Sequence, residues 1–328
     1  MHLDLFYTLT FSSSSLIMEK SELVAEINRL RKAKNAIILA HYYQEEDIQD
    51  IADFVGDSLA LAKKAAETNA DIIVFSGVHF MAETAKIINP GKKVILPDMR
   101  AGCSLADGCP PDAFRKFKEQ YPNHVVVTYI NCSAEIKTMS DWVCTSSNAK
   151  KIINAIPQNQ PIIFAPDQNL GKYLISETGR DMVLWKGSCV VHEAFSIEKL
   201  LDLISKYPNA KVAAHPESQT HILKVADYIG STAGILNFIK TTTEADTFII
   251  ATEAGILHKM ALDNPDKILI PAPVDEDNSC ACSECAFMKL NTLEKLYRCL
   301  RDETPEIVLQ DDLIKKALVP IERMLSIS

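Results

Sequence analysis

ADFVGDS, Ala52 to Ser58, is a phrase that this chain repeats: SDWVCTS stands at 140–146 and ADYIGST at 226–232. Each copy gives an Asp, an aromatic, a β-branched residue and then small polar groups. The aspartates Asp53, Asp141 and Asp227 are 88 and 86 residues apart. Spacing this even predicts one structural unit present three times, whereas length alone, at about 150 residues per domain, suggests two.

Apolar runs alternate with amphipathic segments from about residue 20 onward, which predicts βαβ units, parallel sheets and the α/β class. The runs are AIILAHYY (36–43), DIIVFSGVHF (71–80), KVILPD (93–98), HVVVTYIN (124–131), PIIFAPDQN (161–169), DMVLWKGSC (181–189), KVAAHPES (211–218), TFIIATEAG (247–255) and KILIPAP (267–273). Runs this continuous suit strands buried on both faces. They fall into three sets, each with a first strand, the repeated phrase opening a second, and two more. The expected units are 20–104, 105–190 and 191–328, the last with added C-terminal helices. Residues 1–19 contain no Lys or Arg and carry Asp4, so they read as a disordered extension rather than a leader, with Met18 a candidate start.

The composition, 47% hydrophobic and 23% charged, is that of a globular protein. A net charge of −9 leaves no broad basic face for nucleic acid, and no run approaches the roughly 18 apolar residues of a membrane span. A cytoplasmic protein without nucleic-acid or membrane partners is expected. Nine cysteines in such a chain read as buried or metal-ligating, not as a disulfide framework.

Position separates the cysteines. Cys103, Cys189 and Cys285 lie 50, 48 and 58 residues beyond the aspartate of their own copy, each after the last strand of its set. Three thiolates on three converging loops suit a soft metal centre. A structural zinc normally takes four protein ligands. A [4Fe-4S] cluster on three thiolates leaves one iron open as a Lewis acid for substrate; a catalytic zinc with three ligands has the same signature. A local zinc knuckle of Cys280, Cys282 and Cys285 competes, but its C-x-C-x-x-C spacing is irregular and lacks a second pair. Cys109, Cys132, Cys144 and Cys299 have no matching partners and read as buried.

Ligands of open parallel sheets gather beyond the carboxyl ends of the strands, where the first strands run into HYYQ, TYIN and HPES. His41 with Tyr43, Tyr129 with Asn131, and His215 with Glu217 are each spaced by two, which puts a pair on one side of an extended chain. An imidazole beside a phenol moves protons near neutral pH, and Glu217 would serve as a general base if burial raises its pKa. Ser58, Ser146 and Thr232 end the repeated phrases, where a hydroxyl beside a helix N-terminus binds an anion or caps the helix. The aromatics of the phrase pack helix on strand. Lys137, Lys172 and Lys186 are candidate counter-charges whose default place is the solvated surface.

So read, the chain resembles the quinolinate synthase family, iron–sulfur enzymes of NAD biosynthesis, from about Ala36 to Lys295. The likeness runs through AHYYQ, GDSLALA, GVHFMAETAKI, PDMRAGCSLAD, TYINCSAEIK, TSSNA, FAPDQNLGKYL, WKGSCVVHE, AHPE, GSTAGIL, TEAGILHK and CSECAFMKLNTLEKL. The resemblance implies three similar αβα domains with short parallel sheets around a pseudo-threefold axis, and an active site at the centre. It implies Cys103, Cys189 and Cys285 as the three ligands of a [4Fe-4S] cluster. Substrate contacts are implied for His41, Ser58, Tyr129, Asn131, Ser146, His215, Glu217 and Thr232, with Tyr43 close by, and catalytic roles for His41, Tyr43, Tyr129 and Glu217.

The implied reaction condenses iminoaspartate with dihydroxyacetone phosphate to quinolinate, losing phosphate and two waters, with an aspartate oxidase as the supplying enzyme. The alternatives are another aconitase-like hydro-lyase, which needs no phosphate pocket, or a non-catalytic metal-binding or redox-sensing protein, which needs none of the strand-end groups. Two positions depart from the family pattern. Ser218 follows HPE where Cys is common, and Ala286 follows Cys285 where Pro is common; Cys282 and Cys285 alone keep a C-x-x-C spacing.

Overall fold

The computed structural model describes residues 18–275 and 283–327. The expected N-terminal extension, except its last two positions, lies outside the described residues, as do Cys280 and Cys282 of the competing zinc knuckle. The first sheet comprises β1 (Ala36–His41), β2 (Phe54–Gly56), β3 (Ile72–Ser76) and β4 (Lys93–Ile95). The second comprises β5 (Val125–Tyr129), β6 (Trp142–Cys144), β7 (Ile162–Ala165) and β8 (Met182–Leu184), and the third β9 (Lys211–Ala214), β10 (Tyr228–Ile229), β11 (Thr247–Ala251) and β12 (Ile268–Pro271). Every pairing is parallel, and in each sheet the second strand lies on the edge beside the first, followed by the third and fourth. Helices Lys20–Ala33, Pro111–Glu119 and Ile197–Lys206 enter the three units, and shorter helices join successive strands. Three αβα units of one topology are thus present, as the spacing predicts.

The repeated phrase has a mechanical meaning. Asp53 Oδ2 accepts the Ile38 N–H, Asp141 Oδ2 the Val126 N–H and Asp227 Oδ2 the Val212 N–H, each at 2.8 Å. The backbone N–H of each aspartate donates in turn to the carbonyl of the same partner, at 2.9, 2.9 and 2.8 Å. This double clamp starts the second strand in register against the first. The aromatic then folds back over the residue two places on. A Cβ at Gly56 would stand 2.9 Å from the Phe54 ring, and one at Gly230 would stand 2.6 Å from the Tyr228 ring. The middle copy has Cys144 at this place, and Trp142 instead lies under the Arg323 guanidinium of the C-terminal helix, 5.6 Å from its ring centroid. Asp141→Ala orphans the N–H of buried Val126, and a loss of about 1–3 kcal/mol is expected, read as a lower denaturation midpoint. Asp141→Asn, which keeps an acceptor oxygen, recovers most of it, and an alanine variant as stable as the parent would refute the clamp.

Each sheet is buried on both faces. Units 1 and 2 share one core, on which the C-terminal helix Asp311–Ser326 lays Ile314, Ala317, Ile321 and Met324. Helix Leu293–Asp302 returns to unit 1 and packs Leu296, Cys299 and Leu300 on Ile27 and Leu30. Unit 3 holds Val212 and Ile249 on one face and Phe248 and Ile250 on the other. Cys109, Cys132, Cys144 and Cys299 are buried, as expected. Lys137 is not at the surface: it is fully buried, its Nζ donates to the Cys132 carbonyl, and its charge lies 5.5 Å from the Phe80 ring centroid. Lys172 and Lys186 are exposed.

Candidate active site and metal centre

Cys103, Cys189 and Cys285 follow β4, β8 and β12 in the chain. The N–H groups of Asp107, Glu193 and Lys289 close onto the carbonyls of these cysteines at 2.9, 2.9 and 3.2 Å, so each cysteine opens one helical turn. Burial raises all three thiols, Cys103 to about 12, and backbone N–H groups directed at the sulfurs oppose it: Ala106 and Leu105 for Cys103, His192 for Cys189, Met288 and Phe287 for Cys285. Amide donors of this kind favour thiolate, and a cation supplies the charge that burial withholds. All three are free thiols lining one cavity of about 70 Å³. A soft three-sulfur donor set ringed by amides fits an iron–sulfur centre. Donor atoms of Cys189, His192 and Glu217 also lie within 4.8 Å of one another, a set that fits a single cation.

His41, Tyr43, Ser58, Tyr129, Asn131, Ser146, His215, Glu217 and Thr232 line that same cavity. The structure therefore brings these nine residues and the three cysteines together, but none of Lys137, Lys172 and Lys186 lines the cavity. Two of the strand-end pairs differ in local form. The chain turns after His41, with Tyr43 N–H donating to His41 Nδ1 at 3.2 Å, and after His215, with Glu217 N–H donating to His215 Nδ1 at 3.4 Å. A ring taking the N–H two residues on replaces the extended geometry, because the strand has run out of partners. Burial lowers both imidazoles to about 3, so both are neutral, and with Nδ1 accepting, Nε2 carries the proton. His215 Nε2 lies 3.1 Å from Ser146 Oγ. Asn131 Oδ1 is buried without a hydrogen-bond partner among the described residues.

Glu217 is the focus of the site. Tyr129 donates its hydroxyl to Oε1 at 2.5 Å, and His192 Nδ1 stands 3.1 Å from Oε2. Burial would raise this carboxyl, but His192, His215 and Tyr129 outweigh it and hold the group at about 2. It is ionised, contrary to the raised pKa expected from burial alone. Burial, together with the charge of Glu217, pushes neighbouring Asp167 well above the carboxylate range.

Residue spacing did not single out His192, Thr252, Glu253 or Asp167. His192 Nε2 meets Thr252 Oγ1 at 3.0 Å, Thr252 Oγ1 meets Tyr43 Oη at 2.8 Å, and Tyr43 Oη meets Thr232 Oγ1 at 3.1 Å. Glu253, pushed up to about 7 by burial, accepts the N–H of Cys285 at 2.9 Å and of Gly255 at 2.7 Å, with Lys289 at 3.7 Å. Lys289 stands beside Glu253 at the cavity wall, whereas Lys172 and Lys186 are exposed. Two signals were present: acids two places past the ends of β7 and β11, in APD (165–167) and ATE (251–253), and the C-x-x-H of Cys189 and His192.

No helix among the described residues is long and apolar enough to cross a membrane. Residues 25–326 match the family described as Quinolinate synthetase A protein. The chain is similar to the quinolinate synthase of Microcystis aeruginosa, 61% identical over 307 residues that cover 94% of this chain and 95% of that protein. It is 60% identical to the quinolinate synthase of Thermosynechococcus vestitus over 94% of this chain and 96% of that protein, and 58% identical to that of Gloeothece citriformis over 94% of each. A likeness this close, spanning all three units and every cysteine loop, means that the chain belongs to the quinolinate synthase family.

Proposed function

We propose that this chain condenses iminoaspartate with dihydroxyacetone phosphate to quinolinate, with loss of phosphate and two waters, as a cytoplasmic step of NAD biosynthesis. The observation that carries the reading is the one cavity into which each unit sends a strand end, a hydroxyl and one cysteine. Cys103, Cys189 and Cys285 would hold a [4Fe-4S] cluster, which when bound supplies an open iron as Lewis acid toward a substrate oxygen.

The remaining work falls to the chain's own groups. No Lys or Arg lines the cavity among the described residues, so substrate anions are met by neutral donors: Nε2–H of His41 and His215 and the hydroxyls of Ser58, Ser146 and Thr232. The unpartnered Asn131 Oδ1 accepts an N–H or O–H of substrate. Glu217, ionised at rest, takes a proton in the isomerisation and dehydration steps, and Tyr129 and Tyr43 position and return protons. Enclosure keeps water from the hydrolysable imine, whose supply calls for an aspartate oxidase.

The test is anaerobic purification with iron and sulfide quantified and quinolinate followed from the two substrates. Four irons with quinolinate formed is the expected result. Bound zinc without quinolinate overturns it, and turnover indifferent to the phosphate group favours an aconitase-like hydro-lyase.

A further inference from the structure

Cys285 lies farther along the chain from its strand than the other two cysteines do from theirs, since β4 ends at Ile95, β8 at Leu184 and β12 at Pro271. A longer tether places its end less well, so this thiol needs a hold of its own. The turns of Cys103 and Cys189 are joined directly, the Val190 N–H donating to Ser104 Oγ at 3.2 Å. The Cys285 turn is held instead by Glu253, which stands two residues past β11, lines the cavity and is 1% exposed. Its Oε1 accepts the Cys285 N–H at 2.9 Å and its Oε2 the Gly255 N–H at 2.7 Å. Lys289 closes the same turn, its N–H donating to the Cys285 carbonyl at 3.2 Å while its Nζ stands 3.7 Å from Glu253 Oε1. The carboxylate sits on a fixed base. The Gly255 carbonyl accepts Gln49 Nε2 at 2.9 Å from helix Glu46–Ile51 of the first unit, and the Ala254 N–H donates to the Ser283 carbonyl at 3.1 Å. A Cβ at Gly255 would stand 2.8 Å from Glu253 Oε2 and 3.0 Å from Lys289 Nζ, so a glycine is what lets the turn close on the carboxylate.

We propose that Glu253 is a positioning residue for the metal centre, its carboxylate fastening the Cys285 turn to the end of β11 and so setting the third sulfur in the cavity. The inference rests on the reading of Cys103, Cys189 and Cys285 as cluster ligands given above. Two N–H groups need two acceptors, and a carboxylate offers one oxygen to each. Hydrogen bonds to an ionised acceptor are also about twice as strong as those between neutral groups. Glutamine keeps the size of the side chain but must turn its NH₂ toward one of the two N–H groups, which costs that bond and sets donor against donor. A negative charge beside Cys285 works against its thiolate, and the Lys289 ammonium opposes that effect. The carboxylate and the lysine thus act as one clip, which holds the backbone of the turn with little net charge next to the sulfur.

Glu253→Gln, purified anaerobically with iron and sulfide measured, tests the clip through site-resolved alkylation by iodoacetamide, followed by mass spectrometry of the cysteine peptides. Cys285 is expected to be alkylated about 10- to 100-fold faster than in the wild type, the effect of losing a hydrogen bond to a charged group, while Cys103 and Cys189 keep their wild-type rates. Glu253→Ala, which loses both bonds, is expected to exceed the glutamine variant at Cys285. A Cys285 rate equal to wild type, or an equal rise at all three cysteines with iron retained, would overturn the proposal, because a general loosening does not choose one ligand. Should the glutamine variant arrive without iron, wild type stripped of its metal becomes the reference. Faster alkylation at Cys285 alone then supports the clip, and equal rates at all three positions overturn it. If the alanine variant fails to fold, the glutamine variant carries the comparison by itself. A wild type that holds no iron or sulfide overturns the cluster reading, whereas a loaded wild type beside an unaltered Cys285 in the variant overturns only the clip.

Discussion

Cys189→Ala is expected to strip the protein of iron and sulfide and to lower quinolinate formation by about 10³-fold or more, the effect of removing a metal centre worth several kcal/mol to a transition state. Cys103→Ala and Cys285→Ala are expected to do the same, because the three sulfurs line one cavity and each is presented by an equivalent turn. The comparison that gives the result meaning is Cys299→Ala. That thiol is buried between helices Leu293–Asp302 and Lys20–Ala33, far in role from the cavity. Its loss is expected to cost about 1 kcal/mol of stability through lost packing and to leave iron, sulfide and rate intact. The three cavity variants also separate two ways of holding a metal. If Cys189, His192 and Glu217 held a single ion, Cys103→Ala would keep its metal and Cys189→Ala would not. Equal loss in all three supports the cluster; full iron and sulfide in any one of them sinks it.

What could be read beforehand follows from where each signal resides. Copy number, sheet order and the cysteine loops are set within a unit, by the Asp clamp fifteen residues from its partner and by apolar runs, so one strand of text carries them. The ionisation of Glu217 is set partly between units: Tyr129 reaches it from the second unit and His192 from the turn after Cys189, and together they outweigh a burial that alone predicts the opposite shift. Thr252 is an ordinary strand-end threonine until Tyr43 arrives from the first unit and His192 from the turn after Cys189. Lys137 failed as a surface residue for a related reason. Its carbonyl partner on Cys132 is only five residues away, but the burial that makes the contact matter comes from packing unit 2 on unit 1.

Glu217→Gln is the second large effect, and its argument turns on the number of acceptors. The carboxylate accepts the Tyr129 hydroxyl on Oε1 and holds Oε2 3.1 Å from His192 Nδ1. Glutamine offers one oxygen and one NH₂, so one donor must rotate away or His192 must change tautomer. The group that takes the proton is then gone. A fall in kcat of about 10²- to 10⁴-fold is expected, with iron and sulfide unchanged, since neither hydrogen bond holds a cysteine. A carboxyl held at about 2 stays ionised from pH 5 to 8, so Glu217 adds no acid limb to the wild-type rate across that range. An acid limb that vanishes in Glu217→Gln, or full turnover by this variant with its cluster in place, would remove Glu217 as the base. The proton would then have to leave through another buried carboxyl that lines the cavity, Asp57 or Glu253, of which burial pushes Glu253 up to about 7.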